Sequence, residues 1–193
     1  IPESYFYWHT TGTAGIFGSA AASASLLGLD AQQTNMCLGS AGTQAAGLWE
    51  FLKEGAMSKA LHAGRAASAG VFSAYLAQSG FTAASKILEG EKGFCPALSE
   101  APRIEKITQN LSYGDLKIQH NSFKPYACCK HAHAAVYGAQ TLRSSHGIKP
   151  EDIDCVELHV NNITDFLINN PAPQNVYGCK FSIQYCVAAA LVY

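Results

Sequence analysis

The stretch that decides the fold is HTTGTAGIFGSAAASASLLGLDAQQT, which occupies residues 9–34. Its middle part, Ala14–Leu27, contains only small and apolar residues and predicts a helix that packs closely against its neighbours. Threonine is a favoured N-cap and glycine is favoured just after a helix, so the threonines before Ala14 and Gly28 after Leu27 mark the two ends. Asp30 then predicts the cap of a second helix, which runs to about Leu48.

Two further helices are predicted in the first hundred residues. One spans Ala63–Gln78 and stops at Gly80, and a shorter one runs from Thr82 through Leu88. Alanine, glycine and serine recur here at spacings of three and four residues, which lets helix backbones approach closely. The pattern favours a compact helical layer over a leucine-rich bundle.

The composition changes near residue 110. Residues 1–100 contain 20 of the 30 alanines and 13 of the 17 glycines. Later segments alternate apolar and polar residues, at Leu116–His120 and Ile153–Val160, which is typical of half-buried strands. A helix over Cys128–Arg143, ended by Gly147, lies between them.

These patterns predict a mostly α-helical domain followed by an α+β domain. The expected bounds are residues 1–110 for the helical domain and 111–180 for the α+β domain. Residues 181–193, opened by Ser182, are the start of a helix that we expect to be truncated. Both ends of the sequence suggest a piece of a longer protein.

The composition also limits the classes of partner. Of the 193 residues only 14% are charged and the formal net charge is −1, so we expect no binding to nucleic acid, which requires clustered cations. No apolar run approaches the roughly 20 residues of a membrane span, so we expect no membrane insertion. Seven cysteines at irregular spacing argue against a secreted disulfide framework and favour reduced thiols in the cytoplasm.

Two segments of the first part carry candidate chemistry. His9, Thr11 and Thr13 lie at a predicted helix start, where backbone N–H groups attract anions, although a plain helix cap with a surface histidine is the alternative. Lys59–Arg65 places three basic residues together in a chain that otherwise has few charges, just before a helix. Such a cluster suits a carboxylate ligand, and a solvated loop is the alternative.

A third candidate segment is Phe123–His133, which joins a predicted strand to a predicted helix. It contains two cysteines and two histidines within six residues. Adjacent cysteines and histidines two residues apart do not converge on one tetrahedral ion, so we predict no metal site. A nucleophilic cysteine–histidine pair is a minor alternative to a buried cysteine pair beside one functional histidine or lysine.

Taken together, and in their order along the chain, these segments resemble the sequence motifs of the MmgE/PrpD family. The matching segments are Trp8–Gly15, Leu27–Thr34, Lys59–Ala67, Phe123–His133, residues 150–153 and residues 181–190. Thr10 stands where the family usually has proline. Residues 88–94 differ from the segment typical of 2-methylcitrate dehydratases, which disfavours that substrate.

The resemblance implies a helical domain with an α+β lid domain, a homodimer, no cofactor and a small di- or tricarboxylate substrate. It assigns catalytic roles to His9, Lys59 and Lys124. The substrate-binding candidates are Thr11, Thr13, His62, Arg65 and His133. The expected location is cytoplasmic, with the mitochondrion as the alternative.

The expected chemistry is proton transfer next to a carboxylate. Lysine and arginine would stabilise the enolate-like charge, and a histidine would take or return the proton. Dehydration, decarboxylation and epimerisation all fit these residues. The alternative is a non-catalytic, anion-binding or structural fragment of such an enzyme.

Overall fold

A computed structural model describes residues 3–109, 111 and 116–193 of the chain. The described residues divide into two compact units, and each is presented by itself. The first comprises Ile1–Glu50 with Ser58–Leu116, and the second comprises Phe51–Met57 with Lys117–Tyr193. The described residues are mostly helical, which agrees with the helical part of the predicted fold, and the α+β part is not seen in them.

The first unit is built from helices of very different length. Its elements are a 3-10 turn at Glu3–Phe6 and the α-helices α1 (Thr10–Thr13), α2 (Gly15–Leu26), α3 (Ala31–Gly42), α5 (Ser58–Gln78), α6 (Phe94–Leu98) and α7 (Glu105–Thr108). Helices α2, α3 and α5 pack against one another, and α1 packs on α5.

Local sequence explains several helix ends. The Asp30 side chain accepts a hydrogen bond from the Gln33 backbone, and the Gln33 side chain accepts one from the Asp30 backbone, which forms a capping box at the start of α3. Gly28 and Gly80 have φ angles of 65° and 85°, which favour glycine. The predicted caps at Asp30, Gly28 and Gly80 are therefore confirmed.

Other boundaries differ from the prediction. Helix α3 ends at Gly42 rather than near Leu48, because the chain turns there and pairs with an earlier segment. The helix predicted from Thr82 is absent; the Ala83 backbone N–H instead donates to Met36 Sδ at 3.3 Å, which holds this segment against α3. Tertiary contacts override local propensity in both places.

The core of the first unit is made mostly of alanine. Its buried apolar residues are Ile16, Ala20, Ala24, Cys37, Ala41, Ala66, Ala69, Ala74 and Ala77. A Cβ atom added at Gly70 would lie 2.5 Å from the Ser19 side chain and 2.6 Å from the Ala20 backbone nitrogen. Helices α2 and α5 therefore touch at backbone distance, which confirms the predicted close packing.

The second unit has its own core. Its elements are α4 (Phe51–Glu54), α8 (His133–His146), α9 (Asn162–Ile168), α10 (Val176–Cys179), α11 (Ile183–Val192) and 3-10 turns at Lys117–His120, Lys130–Ala132 and Pro150–Asp152. Helices α8 and α11 pack together around Val136, Ile168 and Val187. The predicted stop at Gly147 (φ 62°) and cap at Ser182 are confirmed.

The predicted strands are wrong for the described residues. Residues 117–120 form a 3-10 turn, and residues 153–160 form no strand. A strand needs a neighbour to pair with, and in residues 116–193 no second strand is present to supply one. Within the described ranges, every helix is too short or too polar to span a bilayer.

Candidate active site

Backbone hydrogen bonds hold the His9 segment in place. Its N–H donates to the Gly47 carbonyl at 2.8 Å, and the Trp49 N–H donates to the Tyr7 carbonyl at 3.1 Å. This short antiparallel pairing brings the Trp49 ring to 4.4 Å from the His9 ring, centroid to centroid. His9 is only 7% exposed, so its imidazole is held in a largely dry environment.

Two glycines make room for this arrangement. Gly47 has φ 136°, and a Cβ atom there would lie 3.3 Å from His62 Nδ1. A Cβ atom at Gly12 would collide with the Ala46 carbonyl oxygen. The loop after α3 therefore lies directly on the His9 turn, and only glycine fits at these two positions.

The His9 ring contacts a second histidine. His9 Nδ1 and His62 Nδ1 are 2.9 Å apart, a normal hydrogen-bond distance. Burial, His62 and Lys59 together lower the pKa of His9 to about 4. Burial also lowers the pKa of His62. Both rings are therefore neutral at pH 7, and one donates its Nδ1 proton to the other.

Lys59, His62 and Arg65 lie on one face of α5, because residues three apart are neighbours on a helix. The sequence pattern predicts Lys59 just before the helix, with a solvated loop as the alternative, but α5 begins at Ser58 and includes Lys59. The Arg65 guanidinium donates to Gln44 Oε1 at 3.2 Å. The basic cluster is thus presented by a rigid 21-residue helix rather than by a loop.

Gln44 orients the arginine. Its amide nitrogen donates to the Ser40 carbonyl at 2.9 Å and to Ser73 Oγ at 3.1 Å. These two bonds turn Oε1 toward Arg65. Sequence analysis missed both Gln44 and Trp49, because neither belongs to a local motif and their contacts join residues far apart in the chain.

Thr11 and Thr13, the two candidate threonines of the first motif, have different surroundings. Thr13 is buried, and its hydroxyl donates to the His9 carbonyl at 3.4 Å. Thr11 is exposed on α1. Helix α1 has only four residues, and His9 is its N-cap without a side-chain capping bond. Thr13 therefore supports the His9 backbone, whereas Thr11 is open to solvent.

Lys124 and His133 belong to the second unit. Lys124 is exposed, and its Nζ donates to the Cys128 carbonyl at 3.5 Å. His133 Nε2 lies 3.4 Å from the same carbonyl oxygen, and its ring packs edge-on against Tyr126. The third motif thus brings a lysine and a histidine to one backbone carbonyl.

Cys128 of this motif and the neighbouring Cys186 are poorly suited to nucleophilic attack. Burial raises the pKa of Cys128, and burial together with neighbouring thiols raises the pKa of Cys186 to about 12. A protonated thiol is a weak nucleophile. All seven cysteines are free thiols, and within residues 3–109, 111 and 116–193 no three metal-ligating side chains are arranged to hold an ion.

Comparison with known proteins gives the family. Residues 2–107 match the MmgE/PrpD N-terminal domain, and residues 126–193 match the MmgE/PrpD C-terminal domain. The chain belongs to the MmgE/PrpD family. The resemblance recognised in the sequence motifs is therefore confirmed.

Three curated proteins resemble this MmgE/PrpD chain along nearly its whole length. The cis-aconitate decarboxylase-like protein oryM of Aspergillus oryzae is 28% identical over 204 residues, which cover 96% of this chain and 41% of the relative. The cis-aconitate decarboxylases of Homo sapiens and Mus musculus are 27% and 26% identical, covering 96% and 100% of this chain and 39% of each relative. The chain thus spans about two fifths of the length of these relatives.

Proposed function

We propose that this MmgE/PrpD protein catalyses proton transfer next to a carboxylate group of a small di- or tricarboxylic acid, without a cofactor. The observation that carries the proposal is the contact of the buried His9 with His62, near Lys59, in a chain of this family. Three relatives named as cis-aconitate decarboxylases or decarboxylase-like make cis-aconitate the first substrate to test.

His9 is proposed as the acid–base group. Its pKa of about 4 keeps the imidazole neutral at pH 7, so that it is able to accept a proton. A bound carboxylate would partly offset the positive charge of Lys59 and bring the pKa of His9 closer to neutrality. Substrate binding would thereby strengthen the base when it is needed.

Lys59, Lys124 and Arg65 are proposed to bind the substrate carboxylates. Removing a proton α to a carboxylate gives an enediolate with additional negative charge on oxygen, which fixed cations stabilise more than they stabilise the substrate. Thr11, Thr13, His62 and His133 lie in the same motifs and are proposed as supporting residues. The second unit, which carries Lys124, is proposed to act as the lid domain.

Three reactions fit the proposed carbanion intermediate: dehydration, epimerisation and decarboxylation. Expulsion of hydroxide from the carbon next to the carbanion gives dehydration, and return of the proton to the opposite face gives epimerisation. In decarboxylation the carbanion forms by loss of CO2, and the acid then protonates carbon. The names of the relatives favour decarboxylation.

A homodimer is also proposed. Phe72 and Tyr75 on α5 are each 55% exposed, and large aromatic side chains of this kind are enriched where chains associate. Sedimentation analysis of the full-length protein would give a dimer mass. A monomer at every concentration tested would contradict this part of the proposal.

The function is tested by proton exchange. Full-length protein is incubated in D2O with cis-aconitate, 2-methylcitrate and iminodisuccinate, and each acid is followed by NMR together with CO2 release. We expect deuterium incorporation or product from at least one of them. No exchange, hydration or CO2 release from a broad panel of acids would instead support a non-catalytic, anion-binding or structural role.

A further inference from the structure

We propose that His62 is a positioning residue that sets which nitrogen of His9 carries the proton, rather than a ligand for the substrate. The inference rests on the acid–base role proposed above for His9. It starts from the contact between His9 Nδ1 and His62 Nδ1, which are 2.9 Å apart.

Only one hydrogen atom fits between His9 Nδ1 and His62 Nδ1. If both Nδ1 atoms carried hydrogen, the two N–H groups would point at each other; if neither did, two lone pairs would. One ring must therefore be the Nδ1–H tautomer and the other the Nε2–H tautomer when both are neutral. The protonation of His62 thus decides whether His9 Nε2 is a proton acceptor or a proton donor.

Both rings are held in the contact by the surrounding fold. His9 is fixed by its backbone bond to Gly47 and by packing against Trp49. His62 projects from the second turn of α5, and a Cβ atom at Gly47 would lie 3.3 Å from its Nδ1, so the loop before Leu48 passes close to the ring. The pair is therefore set by the fold before any substrate arrives, as positioning of an acid–base group requires.

Charge keeps the pair in its neutral form. The titratable groups that act on His9 are His62 and Lys59, and both favour the unprotonated ring. Protonating either ring would place an imidazolium beside the Lys59 ammonium in a partly buried site. A single proton between the two Nδ1 atoms is therefore the stable arrangement at neutral pH, and it couples the tautomer of His9 to that of His62.

The first test is NMR of full-length, substrate-free protein labelled with 15N in histidine. In the wild-type protein His9 and His62 should show opposite tautomers. In His62→Ala, His9 should lose its fixed tautomer, and its titration midpoint should rise from about 4 because His62 no longer opposes its protonation. The exposed His159 serves as an internal reference against global changes in the protein, and its NMR signals at a fixed pH should be the same in both proteins.

The second test separates positioning from substrate binding. With the carboxylic acid that proves to be a substrate, His62→Ala should lower kcat by about tenfold or more with little change in KM. The reason is that a proton on the wrong nitrogen of His9 impairs acid–base catalysis. His62→Asn keeps a neutral hydrogen-bonding group near the Nδ1 position and should recover part of kcat. It also serves as the variant to examine if the alanine protein does not fold.

Two results would overturn the inference. One is an unchanged tautomer and titration of His9 in both His62 variants. The other is a raised KM with unchanged kcat, which would make His62 a substrate ligand. Because the NMR measurement needs no substrate, an inactive protein with coupled histidines would contradict the proposed function alone, and an active one with uncoupled histidines would contradict only the role of His62.

Discussion

At the scale of single residues, the site combines a buried neutral imidazole with cations. His9 is largely buried, and its neighbours His62 and Lys59 oppose its protonation. A charged imidazole at this position would be costly, so the fold keeps His9 neutral. The same condition that prepares His9 to accept a proton also makes the folded protein sensitive to acid.

The first prediction concerns stability against pH. The pKa of His9 is about 4 in the folded protein and 6.5 ordinarily, so the unfolded chain binds more protons between these values. The free energy of unfolding should therefore fall as the pH drops from 6.5 to 4, by up to roughly 3 kcal/mol from this residue. In His9→Gln the fall should be smaller.

Urea titrations followed by tryptophan fluorescence measure this effect selectively. The chain has two tryptophans, Trp8 and Trp49, and both lie in the first unit with His9. Equal pH dependence in wild-type and His9→Gln proteins would show that the histidine is protonated in the folded state without penalty.

The second prediction concerns turnover. If the proposed roles are right, His9→Ala and Lys124→Ala should each lower kcat/KM at least about tenfold, because one removes the proposed acid–base group and the other a proposed carboxylate partner. Lys149→Ala is the matched control, since it removes another exposed lysine of the second unit. Unchanged rates in the first two variants, with normal circular dichroism, would remove these residues from the site.

At the scale of elements, α5 carries both the packing and the chemistry of the first unit. Ala66, Ala69 and Gly70 are buried in the packing of α5, and His62 lies one turn before Ala66 on the same side of the helix. Any displacement of α5 against α2 would therefore move His62 relative to His9. The close seam between the helices keeps the histidine contact in place.

The third prediction uses two glycines of this helix. In Gly70→Ala the new methyl group would collide with Ser19 and the Ala20 backbone, so stability should fall by about 1–3 kcal/mol. Gly64→Ala meets nothing within 4 Å and should be stabilising by about 0.5–1 kcal/mol, since alanine is the better helix former. Thermal melts of the two variants compare them directly, and a shift of the same sign in both would contradict the packing argument.

Sequence analysis predicted what local signals encode. Asp30, Gly28 and Ser182 act through their immediate neighbours, so their caps were correctly expected. The strand over Ile153–Val160 depends on a distant partner, and its alternating pattern alone did not produce one. A period-2 pattern shows that a segment is able to pair, not that it does.

The same distinction holds in the site. His9, Lys59 and His62 were selected because their motifs are contiguous in sequence. The contact between His9 and His62 spans 53 positions and depends on how α5 packs, which no local pattern records. The start of α5 was also placed several residues late, because Ser58–His62 contains polar and basic residues that resemble a loop.

At the scale of the whole molecule, the protein has few charged residues, but several positively charged side chains lie close together. The formal net charge is −1, yet Lys59 and Arg65 share one helix face with His62. A trianion would therefore be attracted by the local field of this cluster and not by the protein as a whole. Such attraction between exposed charges weakens as salt is added.

The fourth prediction follows from that distribution. Propane-1,2,3-tricarboxylate, a stable tricarboxylate, should raise the midpoint of thermal unfolding of the full-length protein, because a ligand bound to the folded state stabilises it. The shift should shrink as sodium chloride is increased and should be smaller in Lys59→Ala. An equal shift in Lys59→Ala and in the Lys149→Ala control would place tricarboxylate binding elsewhere.

The alanine-rich core of the first unit has a thermodynamic consequence. Alanine buries little apolar surface, so each core position of α2, α3 and α5 contributes little to the hydration change on unfolding. The heat capacity increment of unfolding is set mainly by newly exposed apolar surface. We expect the first unit to unfold with a small heat capacity increment for its length, and its stability curve to be correspondingly flat between cold and warm temperatures.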